Sequence, residues 1–347
     1  MTLSHRTSHA RNDSPSKTLQ IALFKYRGLV IRSLNDEIKE DRKCRSNLVL
    51  AGILTLLHVD MQQGFVRNFR VHLEGAWKAI MACGGMCSLI KSPGMIPVIV
   101  DYVFLVIMGD ISSPASKLLV ESLPIEIPSF EFIIMKYGGS GLAFRMCPPP
   151  LLVEVLKINH LRSRASQSIA DARDFQHEAF VLLSRLNRFS ADEWVVAHDA
   201  LDGDFKHVVN MFQATISLYC ISSLQDCGVL PMSSLLRDNL STLRTLVYEL
   251  ICKVIAIFGI AGSGCLVWPL MVLGVQAAYD ECADIREFIS QSLTDQGLHS
   301  GTYTPLALRE VLETFWASGK TGWGSCFDKP GIFSALITVN CGGIPYT

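Results

Sequence analysis

"VIAIFGIAGSGCLVWPLMVLGVQAAY", residues 254–279, runs for 26 positions without a charged side chain. About 20 apolar residues suffice to carry a helix across a bilayer. The run therefore admits either a membrane anchor or helices buried on all sides. Gly259, Gly262, Gly264 and Pro269 divide it into two pieces, each too short to span alone. No aromatic belt or basic cluster flanks it: Lys253 stands by itself, and Asp280–Glu281 follow directly. The pattern predicts one helix ending at Phe258, a turn over "GIAGSG", and a second helix opened by Trp268–Pro269, where proline is tolerated. The absence of charge then reflects burial within a large helical domain. A membrane-associated protein anchored by 254–279 is the alternative this run leaves.

With 347 residues, 49% of them hydrophobic and 18% charged, the chain can fill a large core. Its formal charge of −1 and the lack of a clustered basic surface give no reason to invoke direct contact with nucleic acid. Helical spacing dominates. Phe69, Leu73, Ala76, Trp77 and Ile80 form one stripe, closed by Gly84–Gly85. Leu308, Val311, Leu312 and Phe315 form another, with Pro305 upstream. Further helices are predicted over 19–40, 47–63, 96–108, 151–165, 168–186, 192–200, 206–224, 233–258 and 267–292. Only "FEFIIMKY" (130–137) and "FSALITV" (333–339) are allowed as strands. The expected fold is all-α, a large single domain of packed antiparallel helices, bundle- or solenoid-like, over 18–318. Residues 1–17 carry no secretory h-region and read as a disordered polar tail. The Gly-rich segment 319–347 reads as a divergent, poorly ordered tail.

The eleven cysteines contain no C-x-x-C pair, so no two share the spacing of zinc ligands. Their odd number and scatter suit reduced thiols in an intracellular compartment, and Cys83 and Cys87, spaced i, i+4, read as small buried hydrophobes. "HDALDGDFKH" gathers His198, Asp199, Asp202, Asp204 and His207, with His177 upstream. Such a set could hold a divalent metal that activates water, as in HD-type metal phosphohydrolases. The simpler reading is a turn followed by a helix whose N-cap is Asp204, with the other charges solvated. "GIAGSG" and "YGGSG" match neither G-x-G-x-x-G, a P-loop nor G-x-S-x-G. His72 reads as a satisfied, partly buried histidine. No catalytic, cofactor-binding or metal-binding residue is assigned, and the chain is expected not to be an enzyme.

Three segments carry a resemblance. "NFRVHLEGAWKAIMACGG" resembles a helix of the fungal-specific transcription factor domain, the helical regulatory region of Zn2Cys6 binuclear-cluster regulators, through His72, Leu73, Gly75, Ala76, Gly84 and Gly85; Phe69 stands where tryptophan is usual. "VWPLMVLGVQAAYDECADIREFI" is similar to the family's W-P-L segment through Trp268, Pro269, Leu270, Gly274 and Arg286. "LREVLETFWA" resembles its closing helix through Val311, Leu312, Glu313 and Trp316. The C-x2-C-x6-C arrays of the zinc cluster do not occur in this sequence. The resemblance implies a nuclear transcription regulator of a metabolic or secondary-metabolite gene set. Its implied partners are proteins of the transcription machinery, a homo- or heterodimer partner, and a small-molecule effector. No DNA contact by this chain alone, no membrane and no cofactor are expected.

Overall fold

A buried helix needs apolar residues around its whole circumference, and three segments of this chain have them. In the computed structural model, which describes residues 5–10, 16–39, 47–123, 125–138, 147–167, 172–198, 203–262, 264–279 and 282–334, those segments form the centre. The N-terminal half comprises α1 (His5–Ala10), α2 (Ser16–Lys39), α3 (Asn47–Gln62), α4 (Phe69–Ala82), α5 (Met86–Leu89), α6 (Ile96–Ile111), α7 (Leu119–Ser122) and α8 (Ile127–Tyr137). The rest comprises α9 (Pro149–Gln167), α10 (Ala172–Arg188), α11 (Ala191–Val196), α12 (Phe205–Asp226), α13 (Ser234–Gly262), α14 (Val267–Gln276), α15 (Ala283–Ser300), α16 (Thr304–Ala317) and α17 (Trp323–Cys326). Among the described residues there is no strand.

Every residue from Tyr102 to Ile111 in α6 is buried, as is every residue from Ala214 to Leu224 in α12 and all of α14. Around α6 lie α3, α4, α5, α7, α8 and α9; around α12 lie α9, α10, α11, α13, α14 and α17. Helix α9 touches both centres and joins the two halves into one hydrophobic core. Sequence neighbours pair as hairpins: α3 with α4, α9 with α10, α12 with α13, α15 with α16.

The uncharged run breaks where its glycines fall. Gly259 has φ +68°, a left-handed conformation open to glycine, and α14 is only ten residues long. Ten residues rise about 15 Å, half a bilayer core. Full burial holds for α14 alone, because Ile257 and Phe258 at the end of α13 are exposed. Among the described residues, the helical stretch long and apolar enough by composition to cross a membrane is a different one, Pro93–Ile111, and most of it is buried inside the protein.

Several expectations are corrected. Phe130–Tyr137 is helical: Phe130, Ile133 and Ile134 face the core at spacing 0, 3, 4, and Pro128 sits in the first turn. In the second strand candidate, Phe333 and Ser334 are non-helical and buried, and 335–339 lie outside the described residues. The single helix predicted over 267–292 is two, α14 and α15. Residues 5–10, placed in the polar tail, form α1, with Thr7 buried and the Arg6 guanidinium 3.6 Å from the centre of the Tyr303 ring. Residues 319–334 pack into the body rather than outside it. Trp323, Phe327, Ile332 and Phe333 are buried, and Ile332 N donates to Val66 O at 3.0 Å.

Candidate functional site

The sequence's metal candidates do not converge. His198 is exposed, stacked on Trp194 at 4.2 Å, with its Nδ1 2.7 Å from Trp194 O. Asp199 and Asp202 lie outside the described residues. His177 is exposed on α10, and His207 is half-buried in the first turn of α12. Asp204 occupies the N-cap position of α12, as expected, but its side chain makes no capping hydrogen bond. A serine caps α11 instead, where Ser190 Oγ accepts from Glu193 N at 3.2 Å. Among the described residues no three His, Cys, Asp or Glu side chains gather as metal ligands. Cys83 and Cys87 do not share a helix: Cys83 follows α4 and Cys87 lies in α5, exposed.

The three resemblance segments instead build helix junctions. Gly84 and Gly85 have φ +89° and +83°, and Gly85 N donates to Ile80 O at 2.9 Å, which ends α4. His72 Nε2 lies 3.1 Å from Asp60 Oδ2. Asp60 sits on α3, almost fully buried, and also accepts from Arg27 Nε and Nη2 of α2 at 2.9 and 3.0 Å. Burial pushes the Asp60 carboxyl up, but the bonds from His72 and Arg27 outweigh it and hold the group below its ordinary value. Nothing in the structure explains the glycine at 75, where an added Cβ meets open space.

The second and third segments meet each other. An added Cβ on Gly274 of α14 would stand 2.6 Å from Leu312 Cδ1 of α16. Trp316 Nε1 donates to Gly274 O at 2.8 Å. Arg286 Nε donates to Ala277 O at 2.9 Å, just past the end of α14, with its guanidinium 5.9 Å from the Trp316 ring centre.

The most polar interior feature lies at the C-terminal end of α6. The last carbonyls of a helix have no partner within it, and here other helices supply them. Asn159 Nδ2 donates to Ile107 O at 3.2 Å, and Trp323 Nε1 to Ile111 O at 2.9 Å. Arg162, fully buried on α9, donates through Nη1 to Asp110 O at 3.0 Å and to Tyr219 Oη at 2.7 Å, and through Nη2 to Ser113 O at 2.9 Å. A cation at a helix C-terminus is favoured by the helix dipole. The Asp110 carboxylate turns the other way and caps α7, accepting from Leu119 N at 2.5 Å and Val120 N at 3.0 Å. Burial pushes its carboxyl up to about 7, against the pull of those two N–H groups and of Arg162. The arrangement ties α6, α7, α9, α12 and α17 together. Sequence reasoning missed it; its one trace was an arginine inside the apolar spacing of α9 and an aspartate closing that of α6.

An open cleft of about 530 Å³ lies beside the Gly84 turn, lined by Asn47, Met81, Cys83, Ser88, Leu89 and Ser92. Among the described residues no titratable pair lines it.

Fold and junctions together define a large all-α domain whose characteristic residues are committed to packing helices. The chain belongs to the fungal specific transcription factor domain family, whose model matches residues 2–329. It is 32% identical to a phomenoic acid biosynthesis cluster-specific transcriptional regulator of Leptosphaeria maculans, over 359 aligned positions. That alignment takes in 98% of this chain and 65% of the relative, so the chain spans less than two thirds of the relative's length. No solved structure matches it.

Proposed function

We propose that this chain is the regulatory domain of a nuclear transcription regulator that controls a biosynthetic gene cluster. The observation that carries the reading is the similarity along 98% of the chain to a cluster-specific regulator. The geometry agrees with it. His72, the motif residue with the most chemical capacity, is committed to Asp60, and Arg162 and Asp110 bond helix ends. We assign the chain no reaction. Its partners in this reading are proteins of the transcription machinery. A small-molecule effector would enter the cleft at the Gly84 turn.

The test is genetic. Deleting and overexpressing the gene in its host, with transcript profiling, should respectively silence and raise one contiguous set of biosynthetic genes. The tagged full chain should concentrate in nuclei. Unchanged transcripts in both strains, or a chain excluded from nuclei, would overturn the proposal.

A further inference from the structure

Helix α2 lies on the surface of the domain and leaves a distinctive face uncovered. None of its residues from 17 to 37 is buried. It is held by α1 and by α3, the latter through the Arg27–Asp60 pair and Leu34, whose Cδ2 would lie 2.8 Å from a Cβ on Gly52 of α3. Ile21, Tyr26 and Leu29 are 63%, 62% and 45% exposed. With Phe24 and Val30 they make five exposed large apolar side chains within ten residues, the densest such group in the described chain.

The first five turns of this helix carry charges of one sign, and its last turns add Asp36 and Glu37. From Ser16 to Asn35 there are four cations, Lys17, Lys25, Arg27 and Arg32, and no acid. Arg27 is spent on Asp60; Lys17, Lys25 and Arg32 are exposed. The chain as a whole has a formal charge of −1, so this is a local cationic strip on a near-neutral protein. Ile21, Lys25, Gly28, Leu29 and Arg32 fall at steps of 0, 4, 7, 8 and 11, one stripe along the helix that Asp36 closes at step 15. At its middle, a Cβ on Gly28 would meet nothing within 4 Å, which leaves a dent where a large side chain could approach the backbone.

We infer that this stripe docks an acidic amphipathic helix of another protein, its apolar side chains against Ile21, Gly28 and Leu29 and its carboxylates facing Lys25 and Arg32. A second copy of the chain fits poorly. A symmetric antiparallel crossing at Gly28 sets Lys25 of one copy against Arg32 of the other, and a parallel one sets Lys25 against Lys25; like charges so placed repel. A phosphate backbone would reward the cations but leave the apolar majority of the stripe without a partner. The inference holds whichever genes the protein controls.

The test titrates the full chain with a designed helical peptide bearing leucine on one face and glutamate along its flanks, beside analogues with glutamine or lysine in place of glutamate. The glutamate peptide should bind saturably, about tenfold more tightly than the glutamine analogue at low salt, as expected for two exposed ion pairs in good register. The double variant Lys25→Glu/Arg32→Glu, which touches no core residue and should melt only slightly below the parent because Asp36 lies one turn from position 32, should switch preference to the lysine peptide. Ile21→Ser/Leu29→Ser should weaken binding of the glutamate peptide. Equal or absent binding of the glutamate and glutamine peptides would overturn the inference, as would failure of the charge-reversed chain to switch. So would tighter binding of duplex DNA or phosphatidylserine vesicles, or self-association abolished by the charge reversal.

Discussion

Trp316 Nε1 donates to the carbonyl of Gly274 at 2.8 Å, so two of the segments that carry the family resemblance are in direct contact, α16 against α14. The glycine lets the helices close: Leu312 of α16 is fully buried over the place where its Cβ would be. Motif residues far apart in sequence are thus one packing junction.

Gly274→Ala therefore tests the junction. Both methyls of Leu312 would stand within 3 Å of the new Cβ, at 2.6 and 2.9 Å, and the full burial of Leu312 leaves it little room to move aside. Alanine gains about 1 kcal/mol in helix propensity, but overpacking costs about 1–3 kcal/mol. A net loss of up to about 2 kcal/mol is expected by urea unfolding, and Leu312→Ala in the same chain should reduce the penalty of the added methyl. An unchanged midpoint for the single variant would mean that the helices are not held this close.

Arg162 should tolerate no replacement that keeps its partners. Removing a buried cation that bonds two backbone carbonyls and Tyr219 breaks three buried hydrogen bonds at once, leaving Tyr219 only its bond to Asn159 and Asp110 O only that from Ser113 N, a cost of about 3–5 kcal/mol. Arg162→Ala is expected to unfold at markedly lower denaturant than the parent. Tyr219→Phe, which removes one hydroxyl, should lose about 1–2 kcal/mol. A double-mutant cycle between the two should show coupling, since the Nη1–Oη distance is 2.7 Å.

Asp110 makes stability depend on pH. Its carboxyl is pushed from an ordinary 3.8 to about 7 in the folded protein, chiefly by burial. The folded state thus keeps a proton that the unfolded chain releases, and this contribution is complete below about pH 4 and lost as pH rises toward 7. Asp60 acts oppositely: held below its ordinary value, it contributes above about pH 4 and loses that contribution as pH falls. Urea unfolding of the parent at steps between pH 4 and 7 should show a decline that Asp110→Asn flattens. The asparagine also sets an N–H₂ against one of the two backbone donors, so the variant should be less stable throughout. A decline equally steep in the variant would assign the slope to another group.

The Arg27–Asp60 pair should decide how firmly α2 sits. Because α2 has no buried residue from 17 to 37, loss of its bidentate clasp should loosen it without unfolding the core. In Arg27→Ala, amide exchange should speed up across 16–39, while α6 and α12 keep their protection. Equal protection of α2 in both chains would show that apolar contact with α3 suffices.

Helical periodicity and glycine punctuation made the architecture legible, because a core-facing stripe is written in the order of residues. The stripe from Phe69 to Ile80 is α4, and the "GIAGSG" break ends α13. Phe130–Tyr137 misled because a short β-branched and aromatic run resembles a strand, while its buried set, Phe130, Ile133 and Ile134, has helical spacing. The junction residues were visible as motifs but not as neighbours: Gly274 and Trp316 are 42 positions apart, and His72 meets an aspartate on another helix. The Arg162 network left still less trace. Its partners are mostly backbone carbonyls, which every residue possesses and no sequence pattern marks.

The C-terminal boundary gives the sharpest test of that difference. Glycine-rich composition set 319–334 outside the domain, yet Trp323 is fully buried, its edge on the Tyr219 ring at 4.8 Å and its Nε1 on Ile111 O at 2.9 Å. The glycines serve tight turns: Gly319 and Gly322 have φ +65° and +92°, and Gly324 N donates to Asp226 Oδ2 at 2.9 Å. Trp323→Ala would open a large cavity beside the Arg162 network, at a cost of about 3–5 kcal/mol. At about 2–4 °C per kcal/mol in a domain of this size, its Tm should fall by about 10 °C. A chain stopped after Ser318 loses the same indole together with Phe327 and Phe333, and should unfold without a cooperative transition by calorimetry. If that shortened chain melted as sharply and as high as the full one, the segment would be an appendage, and Ile111 O of α6 would have to find its donor elsewhere.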